Sequence, residues 1–338
     1  MGPPVDGPAH CLVRGVLDPR IGVGGRRYGL GFELRMPEPW NGSFLFQGGG
    51  GLDGVVLPAT GATAADGRPA LTRGFAVISS DGGHEGLGAA FAADQQARLD
   101  YAYAGLGPIG ALGKRIIAHY YGRPPRDSYF VGCSNGGREA MMVAERFPDL
   151  FNGIVAGDPG FNLSRAAIAE MWSLKQLLKI APKDAEGRPI LAEALSHHDL
   201  ELVSQAVLKS CDTLDGLQDG IINNVAGCHF DPRVLICRRG RHEGCLSAQK
   251  VRAIAAIFAG PHDSAGRPLY ASWPYDAGLD TLGWRWWKLG TSRSAVPNAL
   301  DATMGVMAMR FYFLTPPGPG VTPLTFDFDR VLERTAQT

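Results

Sequence analysis

One short turn constrains this chain more than any other feature. The apolar run Tyr129, Phe130, Val131 leads into Gly132, Cys133, Ser134, Asn135 and Gly136, and an amphipathic stretch over residues 137–146 leads out of it. A strand that ends in a Gly-x-Ser-x-Gly turn and restarts at once as a helix presents its serine on a sharp corner. The flanking positions need glycine because strand and helix converge there, leaving no room for side chains. A serine so placed is a candidate nucleophile. The N–H of Asn135, at the start of the helix, is a candidate donor to the oxyanion formed when a carbonyl is attacked. A Gly-Ser turn that merely joins strand to helix is the bland alternative, and the strand–turn–helix frame weighs against it.

The neighbouring sequence supplies a sheet for this turn. Residues 12–17, 30–36, 43–47, 75–79, 128–131 and 153–156 read as strands, with Leu30, Phe32 and Leu34 on one face of the second. Residues 94–121 read as helical, interrupted at Gly105, Gly107 and Pro108. Strands alternating with helices predict an α/β fold with a mostly parallel sheet covered on both faces. Gly48 to Gly51 directly follow the strand Phe44, Leu45, Phe46, and a main-chain N–H from Gly51 or Gly50 is the candidate second oxyanion donor. A plain hairpin turn would also use four glycines.

After Gly160 the texture changes. Residues 164–180, 190–209 and 246–258 read as amphipathic helices, and 270–312 are rich in Trp, Gly and Ser without clear periodicity. At 338 residues the chain exceeds the size of a single core. The expected organisation is therefore a core over 11–160, an insertion over 161–322, and a return towards the core over 323–338.

Charge and cysteines bound the setting. Lys+Arg and Asp+Glu both number 33, and no basic stripe or aromatic-plus-Arg cluster suggests nucleic acid. No apolar run is long enough to span a bilayer. Of six cysteines, Cys211, Cys228, Cys237 and Cys245 crowd one turn-rich stretch without Cys-x-x-Cys spacing. Two local disulfides, Cys211–Cys228 and Cys237–Cys245, are the simplest reading. They need an oxidising compartment, so a secreted or periplasmic location is expected, with the export signal lying before residue 1. Between the first two cysteines, Asp212, Asp215 and Asp219 stand close together with glycines among them. They could wrap one calcium ion with the carbonyls of Leu217 and Ile221, or form solvated Asp-Gly turns.

Together these residues resemble the tannase and feruloyl esterase family over nearly the whole chain, from about Cys11 to Asp329. The most specific pieces are residues 129–138, Glu145 to Pro148 with Phe151 to Ala156, Trp40-Asn41-Gly42, Ser80 to His84, and the Asp-Gly repeats after Cys211. The resemblance implies an α/β-hydrolase core with a large lid inserted after the strand that follows the nucleophile helix. It also implies calcium in the acidic loop and Ser134 as nucleophile, with Asn135 N–H and the glycine loop as oxyanion donors. The implied substrates are small-molecule esters of aromatic acids, galloyl or feruloyl in type, with Trp284, Trp286, Trp287 and Phe313 as candidate ring contacts, although such aromatics are more often packing residues.

The chain departs from the family pattern in one respect. A Gly-Trp-x-Asp-Pro-like segment carrying the triad aspartate and a Gly-x-x-His-Cys-like segment carrying the histidine are expected beyond residue 338. The resemblance also gives Cys133 and Cys11 partners outside this chain. His84, after a core strand, is the nearest substitute base in sequence terms, with a structural role the stronger reading. Asp158 sits just past the strand after the nucleophile helix, and His197, His198, His229, His242 and His262 fall in the insertion. Two functions follow: a serine carboxylic ester hydrolase working through an acyl-enzyme, or a non-catalytic, calcium-stabilised binding protein.

Overall fold

The strand that carries the serine turn lies inside a sheet whose order explains its register. A computed structural model describes residues 7–240, 243–314 and 316–335. Its first unit ends at Phe161 and its second begins at Asn162. In the first, β1 (His10–Ile21), β2 (Arg27–Pro37), β3 (Ser43–Gln47), β4 (Ala76–Ser80), β5 (Asp127–Cys133) and β6 (Gly153–Gly157) form one sheet in the order β1-β2-β4-β3-β5-β6. The pairs β1–β2 and β2–β4 are antiparallel, while β4–β3, β3–β5 and β5–β6 are parallel.

Strand alternation sorts the side chains. Phe44, Phe46, Ala76 and Ile78 point to one face, where Ile109, Ile117, Ala140 and Val143 cover them. Those four belong to helices α1 (Leu106–Tyr121) and α2 (Asn135–Arg146). Leu45 and Val77 point the other way, against Ala59, Ala70 and Leu71. The expected cover on both faces is present, but within this unit the second face is closed by the segment 59–71 and not by a helix.

The sequence underestimates β1, which continues past the pair Asp18-Pro19. The register shifts between Leu17 and Arg20 and Asp18 takes a positive φ of 51°, so the irregularity is absorbed in an edge strand, where proline's missing donor is tolerated. The expected break at Gly105 to Pro108 lies earlier, in a wide π-type turn over Asp100–Ala104. Pro108 falls in the first turn of α1, where an N–H has no helical acceptor in any case.

The second unit is helical, with α3 (Leu163–Ile180), α4 (His197–Cys211), α5 (Ala248–Ala259) and α6 (Leu282–Lys288). Ile168, Met171, Leu174 and Leu177 of α3 pack with Leu200, Val203 and Val207 of α4 and with Val251, Ile254 and Ile257 of α5. The α4 helix starts later than its apolar pattern suggests because Ser196 and Asp199 close a capping box just before it. The aperiodic region contains α6 and two π-type turns, Asp301–Gly305 and Met309–Phe313, whose wider repeat hides them from a 3.6-residue search. Phe326, Phe328 and Val331 join the second unit's own core.

One contact fastens the β1–β2 hairpin. Asp94 accepts from both terminal nitrogens of Arg20 (3.0 and 2.5 Å) and from Val23 N (3.0 Å), and it caps the short helix Gln95–Leu99 through Ala97 N. The bond from Arg20 holds the Asp94 carboxyl well below the usual carboxylate range. A depressed folded-state pKa adds stability that is present above the unfolded value of 3.8 and is lost as pH falls below it. Asp94→Asn is expected to cost about 2 kcal/mol at pH 7, from the loss of charge-assisted bonds. Urea midpoints measured down the acid limb should begin to draw variant and parent together as pH falls below 3.8, the gap closing only below the depressed folded-state value.

Candidate functional site

Between β5 and α2 the backbone reverses on a single residue. Ser134 has φ 58° and ψ −117°, a conformation that only glycine adopts without strain, and its side chain is exposed. The corner is tied from both sides: Ser134 N donates to Gly157 O on β6 (3.1 Å), while Gly160 N and Arg138 N donate to Ser134 O (both 3.0 Å).

The flanking glycines are dictated by backbone proximity. A Cβ on Gly132 would lie 2.2 Å from Gly136 O, and one on Gly136 would lie 2.7 Å from Gly49 O. Thus β5, α2 and the glycine loop meet backbone to backbone. Gly48 N donates to Val131 O (2.9 Å), extending the β3–β5 pairing into the loop.

The two candidate loop donors differ. Gly50 N is engaged by Asp53 Oδ1 at 2.9 Å. Gly51, at φ 62°, has an N–H with no partner among the described residues. Gly51 therefore remains the candidate donor, beside the Asn135 N–H, which as the first of α2 has no helical acceptor.

A buried polar cluster lies beside these donors and was not legible in the motif. Asn135, Asp53 and Glu139 are all nearly inaccessible. Asn135 Nδ2 donates to Asp53 Oδ2 (3.0 Å) and Glu139 Oε1 (3.2 Å), and Gly49 N donates to Glu139 Oε2 (2.9 Å). Asn135 Oδ1 accepts from Arg138 Nε (2.7 Å), and the Tyr101 hydroxyl lies within reach of both Asn135 Oδ1 (3.2 Å) and Gly51 O (3.3 Å). The signal available beforehand was the positive-φ turn that four glycines followed by Leu52-Asp53-Gly54 must make.

His84 is not placed as a base. It is 1% exposed, stacks on Phe91 with centroids 3.7 Å apart, and neither ring nitrogen has a hydrogen-bond partner among the described residues. Burial lowers its pKa to about 4, against a partial opposing pull from the carbonyls of Leu52 and Gly82. Among the described residues no histidine of the first unit is hydrogen-bonded to Ser134. Asp158 is exposed just after β6, at φ 35°. Cys11 and Cys133 carry free thiols.

In the second unit Cys211–Cys228 and Cys237–Cys245 are both bonded. Between the first pair, Asp212 accepts from Gly220 N, Asp215 from Leu217 N and Asn223 N, and Asp219 from Ile221 N. Each carboxylate caps its own stretch of loop, and among the described residues no three Asp, Glu, His or Cys side chains converge as a ready-made metal cage. Trp284 and Phe313 pack against the unit's core, while Trp286 and Trp287 on α6 are exposed. His242 lies outside the described residues.

Comparison with known proteins supplies the wider setting. A family model for tannase and feruloyl esterase matches residues 11–316. The chain is 42% identical to a mono(2-hydroxyethyl) terephthalate hydrolase of Piscinibacter sakaiensis, aligning over 95% of this chain and 59% of that protein. It is 34% identical to a probable feruloyl esterase B-2 of Aspergillus flavus, over 70% of this chain and 43% of that one. The chain thus spans roughly half of these curated relatives. In fold it is similar to an esterase from Aspergillus oryzae (TM-score 0.75, 22% identity, 97% of this chain and 59% of that one). Feruloyl esterase B from the same organism gives a TM-score of 0.72 at 23% identity, over 97% and 65%.

The strain at residue 134 is measurable without any substrate. Ser134→Gly is expected to unfold at a higher denaturant midpoint than Ser134→Ala, by about 1 kcal/mol, because relief of a strained φ outweighs glycine's added backbone entropy. Equal midpoints would mean that the corner stores no strain.

Proposed function

Because this chain belongs to the tannase and feruloyl esterase family, we propose that the full-length protein is a carboxylic ester hydrolase that attacks esters of aromatic acids through Ser134. The observation that carries this reading is the exposed serine held at φ 58° on the strand-to-helix corner. Ser134 Oγ adds to the ester carbonyl carbon as a base takes its proton. The carbonyl π electrons move onto oxygen, where the N–H groups of Asn135 and Gly51 receive the charge. The alcohol leaves with a proton, and water then releases the acid from the acyl-enzyme. Since the chain spans roughly half of its curated relatives, the reading is made for the whole protein.

The aromatic acid class is supported by what the relatives' names share, since feruloate and terephthalate both place a carbonyl on an aromatic frame. On the second unit, Trp286 and Trp287 expose flat surfaces suited to rings, whereas Trp284 and Phe313 are committed to packing. The two disulfides support a secreted or periplasmic setting. The described residues contain no helix long and apolar enough to cross a membrane.

A fluorophosphonate probe is expected to label Ser134 in the full-length protein. Ser134→Ala should abolish labelling and lower kcat on a phenolic ester on the order of 10⁴-fold or more. No labelling of a folded full-length protein would instead favour the non-catalytic binding protein.

Calcium in the acidic loop forms the second part of the proposal. Asp212, Asp215 and Asp219, with the carbonyls of Leu217 and Ile221, would hold it, in a loop whose ends the Cys211–Cys228 bridge already joins. Binding requires the carboxylates to turn from their present amide donors towards a common centre. Chelation should lower the melting temperature, with about 2–3 kcal/mol lost if the site is saturated at a hundred times its Kd. An unchanged melting curve together with no calcium by elemental analysis would remove the ion from the account.

A further inference from the structure

Two buried carboxyl groups face each other beside the proposed oxyanion hole, and their four oxygens are an unusual set. Asp53 Oδ1 takes Gly50 N, Asp53 Oδ2 takes one hydrogen of the Asn135 amide, Glu139 Oε1 takes the other, and Glu139 Oε2 takes Gly49 N. All four donors are neutral. The nearest cation, Arg138, has Nη2 4.0 Å from Glu139 Oε1 and donates from Nη2 to Tyr101 O, from Nη1 to Ala102 O and from Nε to Asn135 Oδ1.

The placement of these bonds matters more than their number. Gly49 and Gly50 are the residues just before Gly51, and Asn135 follows Ser134. The two carboxyls therefore grip the glycine loop by two consecutive N–H groups and the start of α2 by one side chain. The same atoms fix the separation between the N–H groups of Gly51 and Asn135. The loop they grip turns through positive φ at Gly51 (62°), which glycine adopts freely, and at Asp53 (56°), where a side chain makes it strained. Without an external grip such a turn relaxes to an unstrained conformer.

We propose that the Asp53–Asn135–Glu139 cluster is the positioning device of the oxyanion hole, locking the glycine loop to the N-terminus of α2. This rests on the hydrolase reading above. Asp53 and Glu139 are positioning residues: they act on the reacting oxygen only through the N–H groups they set. Because two buried anions side by side repel, the cluster keeps one proton. Burial and the facing Glu139 push the Asp53 carboxyl well above its ordinary value, and Arg138 offsets only part of this. The other titratable groups nearby are Tyr101 and Asp100 from the turn before α1, and Asp81 and His84 from the loop after β4.

The test uses the full-length protein and a soluble phenolic ester. Asp53→Ala and Glu139→Ala are expected to lower kcat about 10- to 100-fold, less than the roughly 10²- to 10³-fold of losing an oxyanion donor outright because the donors are displaced and not removed, with KM within threefold of the parent. Asp53→Asn supplies a permanently neutral member of the pair but keeps only one acceptor oxygen, so its kcat at pH 7 should fall between those of Asp53→Ala and the parent. Where the parent loses activity at alkaline pH as the shared proton leaves, Asp53→Asn should hold its rate. If an alanine variant fails to fold, this comparison of alkaline limbs decides alone. Alanine variants with parental kcat, or identical alkaline limbs in the parent and Asp53→Asn, would overturn the assignment. An inactive parent that the probe does not label would instead overturn the hydrolase reading.

Discussion

The first unit depends on a three-way contact between backbones. At Gly132, Gly136 and Gly48 a strand, a helix and a loop come so close that a single Cβ would overlap a neighbouring main-chain atom. Side chains cannot mediate such a contact, so its geometry is set by hydrogen bonds and torsions alone. The bond from Gly48 N to Val131 O and the corner bonds at Ser134 do this. Rigidity follows because displacing any one of the three segments breaks bonds in the other two. A nucleophile on that corner inherits the rigidity without needing side-chain packing of its own, which explains how it can stay exposed and still be well placed.

How much of this was legible depends on whether each feature is local. The strand–turn–helix frame around Ser134 could be read because every residue that defines it lies in one continuous stretch. The disulfides could be read for a similar reason, since each pair closes a short loop. Asp53 and Glu139 carried no such signal. They lie far apart in the chain and meet only because the parallel register of β3 and β5 sets the glycine loop beside the start of α2. The acidic loop is a different case. Its spacing puts three carboxylates within reach of one ion, and the bonds that each makes to backbone N–H groups two to eight residues away depend on loop geometry that spacing does not give.

The misread elements share a physical cause. Propensity rules treat proline and glycine as terminators, yet Pro19 sits within β1 and Pro108 within α1. In both places the missing N–H would have had no partner, at a strand edge in one case and in a first helical turn in the other. The π-type turns of the second unit have no 3.6-residue period to detect.

Net charge is a poor guide to the electrostatics of such a site. The chain balances its charges overall, yet beside the proposed oxyanion donors two acids are buried with one partly engaged cation. An oxyanion hole works by presenting positive N–H dipoles to a growing negative charge, and fixed anions nearby would oppose it. A retained proton reduces that opposition while the carboxyl oxygens still serve as acceptors for Gly49, Gly50 and Asn135. This makes the identity of residue 135 intelligible. An asparagine amide can donate to both carboxyls at once, whereas an aspartate in its place would add a third acid and donate to neither. One residue thus offers its backbone to the reacting oxygen and its side chain to the scaffold that fixes the backbone. The demand that both uses be met together accounts for an amide at that position.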